Sequence, residues 1–212
     1  MQLTIDGKII MPEQDESLRE LVEKLGLDSP TLSQRPLAAR IAGEVFTLNY
    51  IPLRQTEADS ERPSMRRAMV ASGGNIHLLR YGNSAGKEVY IRTAQFVVFL
   101  ALRQLWPQAR AVLSCTLGSS VFISVDQAEG FSVKRLRQQI QAIVESDIPL
   151  LRRRVSRDEA IARYRAEGQI DKARLLSWRS NPYCSEYSYG DYQDDFFGEM
   201  APSTGYLTVW DV

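Results

Sequence analysis

The sequence is poor in the side chains that most hydrolytic enzymes use for catalysis. It contains one histidine, His77, and two cysteines, Cys115 and Cys184, among 212 residues. A single imidazole in the strand-like NIHLLRY is typical of a structural role, and no Ser-His-Asp triad can be identified. Cys115 lies in an apolar stretch and Cys184 in a tyrosine-rich one that we expect to be a loop, so both are interpreted as idle thiols in a reducing compartment.

The chain also lacks a net charge and a long apolar run. Basic and acidic residues number 26 each, so binding to nucleic acid or to an anionic membrane would need a local patch. The longest apolar run, FVVFLAL, is too short to cross a bilayer, and the first residues, MQLTIDGKII, do not resemble a signal sequence. We therefore expect a cytoplasmic protein without a membrane partner, and its 44% hydrophobic content is enough to fill real cores.

A glycine–lysine pair in YGNSAGKEVY, residues 81–90, looks at first like the end of a phosphate-binding loop. The full pattern needs a glycine where Tyr81 stands and Ser or Thr where Glu88 stands. A carboxylate after the lysine would repel the phosphates that such a loop binds. We instead expect a turn between two strands, IHLLRY and KEVYI, and no ATP or magnesium site in this segment.

The first 53 residues predict a hairpin, a helix and a second hairpin. MQLTIDGKIIMP carries the Asp6-Gly7 turn signal, and DESLRELVEKLGL has a helical apolar period that Ser17 caps and Gly26 ends. LAARIAGEVFTLNYIPL predicts the second hairpin, with its turn at Gly43-Glu44. This order predicts a small β-grasp-like domain at residues 1–53.

The remaining residues predict a linker and a larger domain, so the predicted fold class is α+β. Residues 54–75 are charged and end in a Ser-Gly-Gly run, which indicates a linker or exposed excursion. Residues 76–212 predict a two-layer α/β domain in which helices pack on one sheet. Its predicted elements are a central helix around FVVFLALRQL that ends before Pro107, strands in ARAVLSC and SVFISVD, an amphipathic helix in SVKRLRQQIQAIVESDIP, an extended LLRRRVSR, a helix capped by Ser156 and Glu159, a helix in IDKARLLSW and a final strand in GYLTVWDV.

This order of elements resembles the amino-terminal half of threonyl-tRNA synthetases, which has a TGS domain followed by a second additional domain that performs editing. The stretches ALRQLWPQA, VESDIPLLRRRVSRDEAIARYRAEGQIDKARLL and FFGEMAPSTGYLTVWDV carry the resemblance. The same unit is similar to the leader of bacterial nucleoside kinases of the uridine kinase type, and YIRT and FFGEMAPSTGYL match that pattern better. The kinase resemblance implies that a phosphate-loop domain follows Val212 and that ATP and magnesium bind there, with no cofactor in the present segment.

Editing domains of the synthetases carry a His-x-x-x-His pair on the central helix and a Cys-x-x-x-His pair near the end. Counting from LWP and around GEMAP places Arg92, Phe96, Phe196 and Met200 at these positions. A guanidinium, two phenyl rings and a thioether neither activate water nor bind a hard divalent metal, so the resemblance implies a lost hydrolytic site. The four residues predict an apolar pocket with Arg92 at its edge, which either binds a nucleoside or nucleotide or is filled by side chains.

Two charged features remain as candidates. The candidate RNA- or phosphate-binding residues are Lys134, Arg135, Arg137, Arg152, Arg153 and Arg154. On one face they would contact phosphates, and the alternative is neutralisation by neighbouring carboxylates. The acidic residues near the end are Asp191, Asp194, Asp195 and Glu199, which lack a recognised ligand pattern, so we expect no metal site.

We interpret the chain as a non-catalytic regulatory, ligand-binding or RNA-binding module of a uridine kinase-like nucleoside kinase. Its expected partners are a carboxy-terminal kinase domain and RNA or a nucleoside or nucleotide. The first alternative is a stand-alone tRNA- or RNA-binding protein. The second is a tRNA-editing hydrolase with an altered active site, whose activity would depend on Arg92 or Cys184.

Overall fold

The computed structural model describes residues 2–53, 69, 71–117, 120–190 and 192–212, and these confirm the α+β class. The strands are β1 Leu3–Ile5, β2 Lys8–Ile10, β3 Pro36–Ile41, β4 Glu44–Phe46, β5 Asn75–Arg80, β6 Arg110–Leu117, β7 Ser120–Asp126, β8 Leu151–Ser156, β9 Tyr183–Tyr189 and β10 Tyr192–Asp195. The helices are α1 Leu18–Lys24, α2 Ser84–Leu105, α3 Val133–Glu145, α4 Arg157–Ala166 and α5 Ile170–Ser177. None of the described helices is long and apolar enough to cross a membrane.

Local sequence signals account for the first hairpin and helix. Asp6 and Gly7 both have positive φ, 45° and 83°, as a tight two-residue hairpin turn between β1 and β2 requires. The Ser17 hydroxyl accepts a hydrogen bond from the Glu20 N–H, and the Glu20 carboxylate accepts one from the Ser17 N–H at 2.7 Å. This capping box begins α1 as predicted.

The second hairpin turns one residue earlier than predicted. Ala42 and Gly43, with φ of 48° and 89°, occupy the turn, so Glu44 already begins β4. Because Ile41 pairs with Glu44, two residues connect the strands. Two-residue hairpin loops favour turns in which both residues have positive φ.

Strand β5 belongs to the sheet of the first unit, although the sequence pattern assigned residues 76 onward to the second. It runs parallel to β1 and antiparallel to β3 in the order β2-β1-β5-β3-β4. Ile76 and Leu78 pack in the core with α1, whereas Leu79 packs in the core around α2, as alternation along a strand requires. The sheet is therefore covered on both faces. Most of the predicted linker, residues 54–68 and 70, lies outside the described residues.

The junction between β5 and α2 explains the glycine–lysine pair. The Asn83 side chain accepts the Gly86 N–H at 2.7 Å, which caps the helix, and KEVYI is helical rather than the predicted strand. A Cβ at residue 86 would lie 2.0 Å from the Arg80 carbonyl oxygen. Gly86 thus lets α2 begin directly against the end of β5, a packing role that the strand interpretation of KEVYI missed.

The prediction that the later helices pack on one sheet is wrong. Strands β6 and β7 form as predicted, but among the described residues they pair only with each other, while β8, β9 and β10 form a separate sheet. Residues 118 and 119, between these two strands in the sequence, lie outside the described residues. Helix α3 buries Leu136, Ile140 and Ile143 on one face, which confirms its predicted amphipathic pattern.

The last third of the chain departs most from prediction. Ser156 precedes α4, but its hydroxyl makes no capping hydrogen bond in the described part of the chain. The tyrosine-rich segment forms β9 and β10 instead of a loop, and GYLTVWDV contains a short 3-10 turn at Thr204–Tyr206 instead of a strand. The Tyr90 hydroxyl donates to the Val209 carbonyl at 2.8 Å and accepts the Val209 N–H at 2.9 Å. A side chain therefore satisfies backbone groups that a strand partner would otherwise bind.

Candidate functional site

The structure brings together the four residues that the spacing argument placed at one site. Arg92 and Phe96 lie one turn apart on α2 and face the segment that follows β10. The rings of Phe96 and Phe196 meet edge to face with centroids 5.7 Å apart. Arg92 Nη1 donates to the Glu199 carbonyl oxygen at 2.6 Å, and Met200 is fully buried.

The contacts of this cluster are those of a hydrophobic core. Phe96 is fully buried and also contacts the rings of Tyr187 and Tyr192, at centroid distances of 6.3 Å and 5.5 Å. The Met200 N–H donates to the Tyr187 hydroxyl at 3.0 Å. These contacts favour filling by side chains over the alternative of a nucleoside pocket.

An ion pair lies behind this cluster. Arg152 pairs with Glu199, whose side chain is 5% exposed, and Arg152 Nη2 also donates to the Ser185 hydroxyl at 2.9 Å. The Tyr187 hydroxyl donates to the same carboxylate at 3.2 Å. Burial, and then the neighbouring Glu199 charge, raise the pKa of Tyr187, so its hydroxyl stays protonated at neutral pH. Arg152 is therefore held in the fold by an ion pair and a hydrogen bond, and its role as a phosphate ligand stays a prediction.

A cavity of about 340 Å³ lies beside the carboxy-terminal half of α2. Its walls come from α2, from the loop that leads into β6, from the connection between α4 and α5, and from β10. The lining residues that matter for its chemistry are Phe99, Leu102, Arg103, Lys172, Tyr192 and Asp194. None of the residues that line it is a histidine or a cysteine.

The polar side of this cavity is organised around a buried carboxylate. Asp194 is 4% exposed and accepts hydrogen bonds from Lys172 Nζ at 2.5 Å, from the Tyr192 hydroxyl at 2.9 Å and from the Tyr164 hydroxyl at 3.3 Å. Burial, and then the Asp194 charge, raise the pKa of Tyr192 and Tyr164, so both hydroxyls remain donors. Arg103 lies at the rim, 3.4 Å from Glu167. The arrangement offers an apolar wall, a fixed ammonium and a guanidinium.

The sequence patterns missed most of this cavity. The sequence patterns place Lys172 only in a short helix and Arg103 only in the central helix. A detectable signal was the position of Lys172 next to Ala173, which is buried on the inner face of α5. A lysine there flanks the buried row and can reach a carboxylate on a neighbouring element. Asp194, considered only as a metal ligand, is that carboxylate.

The other acidic candidates do not gather around a metal position. Asp195 pairs with Arg179 at 2.8 Å and Glu199 pairs with Arg152, while Asp191 lies outside the described residues. In the described part of the chain, no group of three or more histidine, cysteine, aspartate or glutamate side chains is placed to hold a metal ion.

The two basic stretches lie on separate elements, α3 and β8. Lys134, Arg135, Arg153 and Arg154 are exposed, whereas Arg137 pairs with Asp211 at 2.5 Å and bonds the Val212 carbonyl. The Arg135 guanidinium lies 5.6 Å from the Trp106 ring centroid, and that of Arg154 lies 3.6 Å from the Tyr183 ring centroid. The side chains of Lys134, Arg135, Arg153 and Arg154 thus lie at the surface of these two elements, and their role in phosphate binding stays a prediction.

Cys115, Cys184 and His77 lie on three different strands of the described residues, β6, β9 and β5. Cys184 is buried in β9, not in the predicted loop, and burial together with Glu186 raises its pKa to about 11. A thiol with that pKa is almost entirely protonated at neutral pH and is a poor nucleophile. Cys115 is exposed on β6 and His77 is exposed on β5.

Comparison with known proteins relates the chain to tRNA ligases. It is 26% identical over 183 residues to the threonine–tRNA ligase of Desulforamulus reducens, covering 84% of this chain and 26% of that protein. It is 25% identical over 186 residues to that of Carboxydothermus hydrogenoformans, covering 86% and 26%. With that of Rhodospirillum rubrum the identity is 26% over 206 residues, covering 95% and 29%. No family model matches the chain.

These similarities extend along most of this chain but cover little of each relative. The chain spans about a quarter of the length of the curated relatives it matches. It is therefore similar to one region of threonyl-tRNA synthetases, which supports a domain of that type. The narrower resemblance to the leader of nucleoside kinases gains no support from these relatives and stays a prediction, as does the TGS assignment of residues 1–53.

Proposed function

We propose that this chain is a tRNA-binding module of the threonyl-tRNA synthetase type. It holds the end of the tRNA without hydrolysing the bond between the tRNA and its amino acid. The observation that carries the proposal is the cavity beside α2. It lies within a chain that is similar to tRNA ligases along most of its length, and its fixed Lys172–Asp194 pair stands without an imidazole or thiolate beside it. The stand-alone RNA-binding interpretation thus fits better than the kinase-leader interpretation.

The dimensions and chemistry of the cavity suit the terminal nucleoside of an RNA. Its volume of about 340 Å³ lies in the range of small-ligand sites. The rings of Phe99 and Tyr192 line the cavity and offer the apolar faces that a base needs for stacking. The Lys172 side chain is 42% exposed, so its ammonium retains donors for a sugar hydroxyl or phosphate after it has bonded Asp194.

The salt dependence of tRNA binding tests the surface part of the proposal. We expect the affinity, measured by fluorescence anisotropy with labelled tRNA, to fall steeply between about 50 and 200 mM salt because phosphate contacts release counterions. The variant Lys134→Ala/Arg135→Ala is expected to lower the salt slope by about two units if both side chains contact phosphates. Lys8→Ala/Arg40→Ala removes two exposed charges from the first sheet and serves as the matched control. Weak binding that does not change with salt would contradict the proposal.

A hydrolysis assay separates binding from editing. We expect incubation with mischarged tRNA to release no amino acid above the uncatalysed rate, because no imidazole or thiolate lines the cavity and the Asp194 and Glu199 carboxylates are held in ion pairs with Lys172 and Arg152. If the unmodified protein releases the amino acid and Arg92→Ala does not, the result would instead support the editing-hydrolase interpretation. Calorimetric titration with free nucleosides and nucleotides tests the ligand-binding form of the kinase-leader interpretation, which predicts heat on addition of at least one of them.

A further inference from the structure

A tryptophan at the far end of α5 is unusually accessible. Trp178 directly follows the helix and its side chain is 83% exposed, whereas Trp106 is buried and Trp210 is partly buried. Leu175, one turn earlier, is also 68% exposed. A large indole in water contributes nothing to the core, so its surface is free to contact another molecule.

The loop that follows, residues 178–183, is fixed to the body of the protein. Arg157 Nη1 donates to the Arg179 carbonyl at 2.7 Å, and the Arg157 N–H donates to the Pro182 carbonyl at 2.9 Å. At the end of the loop, the Arg154 guanidinium lies 3.6 Å from the Tyr183 ring centroid. Trp178 therefore extends from an anchored loop that carries a second, guanidinium-stacked aromatic ring.

The charged groups around this loop favour an anionic partner. Arg174 is exposed four residues before Trp178, a spacing that places the two side chains next to each other. Arg157 and Arg179 lie at the same loop, and Asp158 and Asp195 neutralise part of their charge. An exposed aromatic ring among guanidinium groups is the combination that binds single-stranded nucleic acid, where a base stacks on the ring and a cation contacts the backbone.

Helix α5 connects this loop to the cavity. Lys172 lies in the first turn of α5 and lines the cavity, and Trp178 caps its other end. At 1.5 Å per residue the eight residues of α5 span about 12 Å. A strand of unpaired nucleotides can cross that distance in a few residues.

We propose that Trp178 is a stacking site for an unpaired nucleotide of the RNA whose terminal nucleoside enters the cavity. This inference rests on the proposed function and adds the nature of the bound segment, which is single-stranded. The loop 178–183 holds the strand outside the cavity, and Arg174 and Arg179 contact its phosphates. Duplex RNA of the same length does not bind there, because its bases are already stacked on one another.

Intrinsic fluorescence tests this contact directly. In a Trp210→Phe background, a short single-stranded RNA oligonucleotide is expected to quench the emission of exposed Trp178, whereas the same sequence as a duplex is not. Trp178→Ala is expected to weaken oligonucleotide binding by about 5- to 150-fold, and Trp178→Phe to restore part of it. Leu175→Ala is the matched control, since it removes an exposed apolar side chain from the same helix end without removing a ring.

The possible outcomes distinguish this inference from the proposed function. If single-stranded RNA quenches the Trp178 emission and Trp178→Ala binds the oligonucleotide more weakly, both the stacking site and the tRNA-binding function are supported. Unchanged tRNA affinity in Trp178→Ala, with no quenching by the oligonucleotide, overturns the stacking site and leaves the tRNA-binding function standing. Absence of tRNA binding by the unmodified protein overturns both.

Discussion

The Arg152–Glu199 pair gives a quantitative prediction because two adjacent arginines of β8 have opposite environments. Arg152 lies in an ion pair with Glu199, which is 5% exposed, and also bonds Ser185, whereas Arg153 is exposed. Replacing Arg152 by alanine leaves the Glu199 carboxylate buried with its guanidinium partner removed. Breaking a buried pair in this way costs about 3–5 kcal/mol, and the 21% exposure of the Arg152 side chain places the expected loss near the lower figure.

The assay follows the circular dichroism of Arg152→Ala and Arg153→Ala side by side, in urea for the free energy of unfolding and on heating for Tm. For a chain of this size, a loss of about 3 kcal/mol lowers Tm by roughly 6–12 °C. Arg153→Ala is expected to stay within about 0.5 kcal/mol of the unmodified protein, because surface substitutions rarely do more. If the two variants have equal stability and Arg152→Ala loses tRNA affinity instead, Arg152 is a phosphate ligand after all and the buried-pair reasoning is refuted.

Three further predictions follow from single residues. Gly198→Ala is expected to lower the free energy of unfolding by at least about 1 kcal/mol, because φ is +98° and the new Cβ would lie 2.8 Å from the guanidinium carbon of Arg92. Gly82 faces open space, so Gly82→Ala should be nearly neutral in the same denaturation assay. Cys115 should react with a thiol reagent at pH 8 and Cys184 only on unfolding, since Cys184 is buried with a pKa of about 11; equal rates would contradict its burial. The raised pKa values of Tyr164, Tyr187 and Tyr192 predict that stability falls as pH rises above about 10, by up to about 1.4 kcal/mol per pH unit for each tyrosine, because the unfolded tyrosine loses its proton and the folded one keeps it. Tyrosinate absorbance at alkaline pH, recorded with the unfolding curve, checks the sign; stability that rises in that range would be inconsistent with it.

Short-range signals predicted the elements whose causes are local. The Asp6-Gly7 turn and the Ser17 capping box depend on residues within four positions of each other, and both occur in the structure. The spacing of Arg92 and Phe96 likewise placed them on one face of α2. The pairing of those residues with Phe196 and Met200 came from the family resemblance, and in the structure Phe96 contacts Phe196 while Met200 is buried in the same core cluster as Phe96.

Of the two segments that were predicted wrongly as strands, the first depends on a nearby cap and the second on a contact between distant residues. KEVYI has a strand-like composition, but the Asn83 cap and the close approach of Gly86 to Arg80 make it the first part of a helix. GYLTVWDV has a strand-like composition too, but the Tyr90 hydroxyl binds the Val209 backbone across more than a hundred residues. A local period carries no information on such partners.

The cavity was missed for the same reason. Lys172 and Asp194 belong to different elements, α5 and β10, and neither sequence context indicates a partner. Only the packing of those elements against α2 places an ammonium and a buried carboxylate next to Phe99. Sites of this kind are visible in a fold and not in a motif.

The most direct test of tRNA-end binding compares intact tRNA with the same tRNA from which the 3′-terminal nucleoside has been removed. Affinities of both are measured for the unmodified protein and for Lys172→Met, which gives a thermodynamic cycle between the terminal nucleoside and the cavity lysine. The account predicts that truncation weakens binding to the unmodified protein about tenfold or more and hardly affects Lys172→Met. Equal affinities of the unmodified protein for the intact and truncated tRNA would contradict it.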